Sequence, residues 1–170
     1  MQEIRVVLVD ESDKEIGTEE KLAAHKKGLL HRAFSIFVIN SKGEMLIQRR
    51  AMSKYHSGGL WSNACCSHPH PNEKLQEATH RRLEEEMGFD CDLKEKFSFI
   101  YKTNFENGLV EHEFLHIFIG TWDATPKVDP EEADEWAWID MAKLQADLAT
   151  HPEKYTYWFK LALPKIILGI

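Results

Sequence analysis

Cysteine is scarce in this chain: three among 170 residues, with Cys65 and Cys66 adjacent and Cys91 distant. So small and odd a number builds no disulfide framework, so the thiols are expected to be reduced and to matter for reactivity or packing. Basic runs are absent too, and 21 Lys and Arg stand against 28 Asp and Glu, a formal charge of -7. Phosphate backbones are held by basic patches, so no nucleic-acid partner is expected. No apolar stretch approaches the roughly 20 residues that span a bilayer. The opening MQEIRVVLVDESDKE is acidic and strand-like, not a basic segment leading into an apolar core. These absences predict a cytoplasmic protein with no membrane partner; a monomer or weak homodimer is the expected state. No repeat or low-complexity segment is visible, and 43% hydrophobic residues suffice for one core, so residues 1–170 read as a single domain.

Strand and helix signals alternate along the chain, which predicts an α/β (α+β) domain. EIRVVLVD reads as a strand and the polar ESDKEIG as a turn; RAFSIFVI, NSKG and EMLIQRR read as a hairpin. NEKLQEATHRRLEEEMG has helical spacing, with Asn72 as its N-cap and Gly88 as its stop. FSFIYKT and LVEHEFLHIFIG form a second strand pair around NFENG, and EWAWI is a short strand. The remainder reads as helix (MAKLQADLAT, then YTYWFKLAL), broken by Pro152 and Pro164.

Two of these elements break the patterning rules. On the helix, Leu75, Ala78, Thr79 and Leu83 form an apolar stripe, and Arg82 and Glu86 project into it. Buried charge costs several kcal/mol without partners. A structural i,i+4 ion pair is the plain explanation; a diphosphate with its magnesium supplies the same counter-charges and fits the position better. In LVEHEFLHIFI, period-two alternation puts Leu109, Glu111, Glu113, Leu115 and Ile117 on one face. Both faces are largely apolar, so the strand is expected to be central, and two carboxylates on one dry face call for a cation.

The stretch LWSNACCSHPHP concentrates thiols and imidazoles between residues 60 and 71. Most of the nine histidines, among them His56, His70, His80, His112, His116 and His151, read singly as surface or satisfied core residues. His25 and His31 flank the mouth of a predicted strand, and His68 follows Cys66 by two residues. With Glu111 and Glu113 they make a nitrogen and oxygen donor set suited to a Mn²⁺, Zn²⁺ or Fe²⁺ class of ion. A Cys66/His68 zinc site is the competing arrangement, but no second cysteine pair completes it.

From Ser67 through Glu73 to RRLEEEMGF the spacing resembles the Nudix box, GX5EX7REUXEEXGU, with U aliphatic. Ser67 stands for the glycine and Arg82 for the glutamate that follows the first arginine. Together with AAH and LHRAFS, QRRA and SK, LWSNACCSHP and VEHE, this set is similar to the type 1 isopentenyl-diphosphate isomerases, over about Lys21 to Trp158. The resemblance implies a Nudix-like mixed β-sheet sandwich flanked by helices, with a helical C-terminal segment. It also implies metal-dependent interconversion of isopentenyl and dimethylallyl diphosphate, a small-molecule substrate of isoprenoid biosynthesis, through a tertiary carbocation.

By motif position the resemblance makes Cys66 the catalytic thiol, Glu113 the opposing carboxylate that also touches the metal, and Tyr101 a helper in the proton path. Trp158 falls where an indole faces the developing cation. Lys21, Arg50, Lys54 and Arg82 are expected to hold the diphosphate, with Mg²⁺ bridging it to Glu86, and one Mn²⁺ or Zn²⁺ class ion is expected in the His25, His31, His68, Glu111 and Glu113 set. Neighbours on a strand point opposite ways, so Cys65 is expected to pack away from the site. A diphosphate-cleaving Nudix hydrolase is the alternative, disfavoured by Arg82; a metal-binding domain without catalysis is more distant.

Overall fold

In the computed structural model, which describes residues 3–169, the chain opens with strands β1 (Arg5–Val9) and β2 (Glu15–Glu20) and helix α1 (Lys21–Lys27). Strands β3 (His31–Ile39) and β4 (Glu44–Arg50) follow, then two short strands, β5 (Trp61–Asn63) and β6 (Cys65–Ser67), and helix α2 (Leu75–Met87). After β7 (Leu93–Asn104), β8 (Val110–Thr121) and β9 (Ala133–Asp140) come helices α3 (Met141–Thr150) and α4 (Tyr157–Gly169).

The strand β3 organises the sheet. Along one edge it pairs in parallel with β8, from His31 opposite Glu113 to Ile39 opposite Thr121. Its other edge is shared in turn by β1, β6 and, next to the Asn40–Gly43 turn, β4. The predicted hairpin is therefore real only at its tip. Beyond it β4 leaves to pair with β5 and β9, and β6 takes the vacated place beside β3 at Phe34–Ile36. Alternation along β3 sends Ala33 and Phe37 into one apolar cluster with Leu115, Phe159 and Leu163, and Phe34, Ile36 and Val38 into another with Leu83 and Met87 of α2. With both faces covered, β3 and β8 read as near-continuous apolar runs.

Three local expectations are corrected. The polar ESDKEIG is not all turn, because β2 begins within it and pairs with β1. Helix α2 starts later than expected. Asn72 lies in a turn with φ 65°, Lys74 is the N-cap without a side-chain bond, and the Glu73 carboxylate instead accepts from the His70 N–H (2.7 Å) and from Arg81 (2.7 and 2.8 Å). Its C-terminus is as predicted: Gly88 is left-handed at φ 72°, and a Cβ there would stand 2.6 Å from the Lys127 carbonyl. Pro164 does not break α4. Its missing N–H costs about 3 kcal/mol, whereas Phe159, Leu163 and Ile166, all buried, each contribute about 1.5–3 kcal/mol.

Helix α1 had no expectation attached. Glu20 caps it, its carboxylate accepting from the Leu22 and Ala23 N–H groups at 2.8 and 2.7 Å, and Gly28 ends it in the left-handed region.

Candidate functional site

The register around β3 assembles one polar patch on an otherwise apolar face. His31 sits opposite Glu113 of β8, Ser35 opposite Cys66 of β6, and Tyr101 and Thr103 of β7 opposite Glu113 and Glu111. Because these positions share the parity of Ala33 and Phe37, their side chains point to the same side of the sheet. Helix α1 lies over that side and offers Lys21 and His25, one turn apart on one helix face. His68 follows directly after β6, Arg50 ends β4, and Trp158 lies in the first turn of α4. The result is a cavity of about 620 Å³.

Four expected metal ligands converge. His25, His31, His68 and Glu113 each present a donor atom, and these atoms lie within 4.8 Å of one another. His25 and His31 donate their Nδ1 protons to the Lys21 and Leu29 carbonyls (2.7 and 2.8 Å), which leaves each Nε2 with a free lone pair. Among the described residues both Nε2 atoms, and Oε2 of Glu111, are buried without a hydrogen-bond partner. Orphaned lone pairs on neutral imidazoles and a carboxylate are what a divalent cation satisfies, so the residues fit the ion. Burial holds His25 below the usual imidazole range and brings His68 down to about 3, so neither competes with a metal by binding a proton near neutrality.

The two carboxylates differ. Burial alone would raise Glu113, but the His31 and His68 rings more than offset it, His68 Nε2 standing 3.0 Å from Oε1, and the carboxyl lies well below its ordinary range. Glu111 is pushed well up, by burial first and then by the Glu113 charge. Tyr101 donates its buried hydroxyl to Glu113 Oε2 at 2.8 Å, and burial keeps the phenol protonated.

Cys66 Sγ lies 3.1 Å from both Ser35 Oγ and Asn63 Oδ1, and burial pushes the thiol up to about 12. It is therefore a neutral thiol at physiological pH. Cys65, fully buried, packs with Leu83 and Met87 on the far side of the sheet, as alternation requires. The Trp158 indole is pinned by its Nε1–H donating to Ser62 Oγ at 3.0 Å.

Cations line the remaining wall. Lys21, Arg50, Lys54 and Arg82 all face the cavity, as does Glu86. Arg50 lies over the Trp158 ring, 5.2 Å from its centroid, and Lys21 over Tyr55 at 5.1 Å. Burial, with Lys54, Arg50 and Arg82 near by, lowers the Lys21 ammonium. Arg82 pairs with Glu86, with Glu85 at 2.6 Å and with Glu132 at 3.2 Å; Lys54 also pairs with Glu132.

Comparison with known proteins agrees with this geometry. The NUDIX domain model matches residues 29–159. A protein from Aromatoleum aromaticum named isopentenyl-diphosphate Delta-isomerase 2 is 53% identical over 165 residues, 97% of this chain and 87% of the relative. The isopentenyl-diphosphate Delta-isomerase of Burkholderia multivorans is 53% identical over 99% of this chain and 96% of its own. The chain belongs to the isopentenyl-diphosphate Delta-isomerase family. Its fold is similar to a Deinococcus radiodurans crystal structure at TM-score 0.79 and 21% identity, covering 95% of this chain and 98% of that one. A MutT protein from Methanosarcina mazei Go1 follows at TM-score 0.65 and 22% identity, covering 82% and 94%.

Within this family member, Cys66, His68, Glu111, Glu113, Glu86, Trp158 and the four cations line one cavity, while His25, His31 and Tyr101 stand behind its wall. Glu111 does not join the four-donor group; it stands with His25 and His56, again with donor atoms within 4.8 Å. His56, read from the sequence as surface or satisfied core, is buried inside the site, and Glu132 grips two of the expected phosphate binders. Ser35 and Asn63, which hold the thiol, are likewise unmarked in the sequence. A lone histidine, glutamate, serine or asparagine carries no periodic signal, and only register and loop folding bring these four to the site.

Proposed function

We propose that one domain spanning residues 1–170 interconverts isopentenyl and dimethylallyl diphosphate, with Cys66 and Glu113 as the two proton-transfer groups. The observation that carries this reading is that a protonated thiol and an ionised carboxylate line the same cavity from opposite edges of β3. The alkene carries no activating group, so protonation of one carbon and loss of a proton from another must be separated in space and shielded from water. In the direction set by these protonation states Cys66 delivers a proton, Glu113 accepts one, and Tyr101, bonded to Glu113, shares it; the reverse reaction exchanges the roles. Trp158 presents its ring to the tertiary cation between the two steps. Lys21, Arg50, Lys54 and Arg82 bind the diphosphate, Glu86 holds its Mg²⁺, and His25, His31, His68, Glu111 and Glu113 hold a Mn²⁺ or Zn²⁺ class ion. Bound there, the ions would neutralise phosphate charge and fix the carboxylates in place. No helix of the described residues is long and apolar enough to cross a membrane, and we place the enzyme in the cytoplasm, as a monomer or weak homodimer.

Incubating the protein with isopentenyl diphosphate and Mg²⁺ in D₂O, followed by proton and phosphorus NMR, tests the reading. Deuterium entering the carbon skeleton with the diphosphate intact is the expected result. Phosphate release would instead make the chain a hydrolase, and unchanged substrate would remove the catalytic reading.

A further inference from the structure

The first coordination set leaves one buried imidazole of the cavity without a role. His56 lies in the loop between β4 and β5, is nearly inaccessible, and, although it stands with His25 and Glu111, has been given no role in metal or substrate binding. Its ring is locked: it stacks on Phe105 at 4.5 Å and 11°, meets Tyr55 edge-on at 4.5 Å, and approaches Trp158 edge-on at 5.9 Å. Nδ1 is 3.1 Å from Ser57 Oγ, and Nε2 is 3.4 Å from Glu111 Oε1. The Ser57 hydroxyl can donate to Nδ1, and in that tautomer the ring proton sits on Nε2, facing the carboxylate. The other oxygen of that carboxylate, Oε2, is buried with no partner.

We infer that His56 is a positioning residue for the metal site: its Nε2–H takes Oε1 of Glu111 and so turns Oε2 toward the ion. At 3.4 Å the contact is a few tenths of an ångström longer than a good hydrogen bond, a gap that a small rotation of the carboxylate closes. The inference rests on the metal reading given above and adds to it a partner outside the donor set. A ligand carboxylate needs such a partner, because an ion binds tightly only where its ligands are already oriented, and removal of an outer partner typically costs about 10-fold to 100-fold in metal affinity. His56 is not assigned as a direct ligand: Nδ1 faces Ser57 Oγ at 3.1 Å and Nε2 faces Glu111 Oε1 at 3.4 Å, so with the ring proton on Nε2 neither nitrogen keeps a lone pair free for an ion.

The test uses metal-stripped full-length protein titrated with Mn²⁺, with free Mn²⁺ followed by its EPR signal and coordinated imidazole nitrogens counted by pulsed EPR. His56→Phe keeps a ring between Phe105 and Tyr55 but removes the donor; it should weaken Mn²⁺ binding about 10-fold to 100-fold with the nitrogen count unchanged. His56→Gln, whose amide N–H reaches a similar point, should recover most of the loss. In a Glu111→Gln background the His56→Phe change should add little, since its effect passes through Glu111. Wild-type affinity in His56→Phe, or a loss that persists undiminished in Glu111→Gln, would overturn the inference while leaving the metal site standing. A nitrogen count lower by one would overturn it in favour of direct ligation. A wild-type protein that binds no Mn²⁺ while a His25→Ala variant behaves identically would remove the metal reading itself, and this inference with it.

Discussion

If Trp158 stabilises a cation, replacing it by phenylalanine should lower the affinity for a cationic analogue and spare the substrate. The comparison needs a ligand carrying a protonated tertiary amine at the carbon that becomes cationic, on the same diphosphate. A desolvated cation over an indole gains about 2 kcal/mol, and phenylalanine is the poorer partner, so Trp158→Phe should cost the amine about 1 kcal/mol, roughly 5-fold. The ring is already partly engaged, because the Arg50 guanidinium lies 5.2 Å from its centroid. An added cation meets that like charge until a diphosphate neutralises Arg50, so an amine lacking the diphosphate should show no dependence on residue 158. The substitution also has a structural cost. It removes the 3.0 Å indole donor from Ser62 Oγ, which keeps Asn63 Oδ1 and Thr156 Oγ1 as partners, a loss of about 0.5–1.5 kcal/mol in stability, and Trp158→Ala would add a cavity worth about 3–5 kcal/mol. Calorimetric Kd values for amine and substrate, taken well below the Tm of each variant, separate the two effects. An unchanged ratio of the two affinities in Trp158→Phe would refute the cation–π assignment, as would a parallel fall in both.

Cys66→Ser should keep the fold and ligand binding yet lose most turnover, since a hydroxyl is a far weaker acid than a thiol; steady-state kinetics check this. Cys65→Ser, which buries a hydroxyl among Leu83 and Met87, should lower Tm more than kcat. Arg82→Glu restores the box glutamate but sets it among Glu85, Glu86 and Glu132; we expect a stability loss of about 3–5 kcal/mol and no efficient phosphate release, read by denaturant unfolding and phosphorus NMR. Burial brings His56 and His68 down to about 3, while in the unfolded chain both bind protons below about 6.5. The metal-free protein should therefore lose stability as pH falls from about 6.5 toward 3, and His56→Phe should flatten that slope in thermal unfolding.

Much of this arrangement was legible because it follows from period and spacing. Glu111 and Glu113 betrayed a site by sharing a dry strand face, and Arg82 and Glu86 by interrupting an apolar helix stripe; both pairs line the cavity. The two-residue period also separated Cys66 from Cys65 correctly. Where period fails, so did the reading. KLAAHKK is a helix of seven residues, too short to display a stripe, and it is Glu20 and Gly28 that define it. Pro164 reads as a breaker in the sequence because the burial that offsets it is a tertiary quantity. His56 and Glu132 lie in a loop and just before a strand, and contacts between residues distant in sequence join them to the site, His56 with Glu111 and Glu132 with Lys54 and Arg82.

The residue that departs from the Nudix box also bears on the proposed Mg²⁺, because it sets what a bound diphosphate must displace. In the free site Arg82 is committed to Glu85, Glu86 and Glu132, and Lys54 to Glu132, so the two cations nearest the helix are already balanced by acids. A diphosphate can recruit them only by drawing them off these carboxylates. Glu86, its side chain 4% exposed, would then be left as an uncompensated charge in a low-dielectric wall, and at an effective dielectric of 20 two like charges about 4 Å apart repel by roughly 4 kcal/mol. Lys21 and Arg50 have no carboxylate partner of this kind among the described residues and supply part of the balance. On the proposed reading Glu86 would hold a Mg²⁺, which would supply the rest of the positive charge. On that reading the arginine trades one carboxylate of the box for a phosphate grip and leaves Glu86 as the carboxylate that a metal would balance.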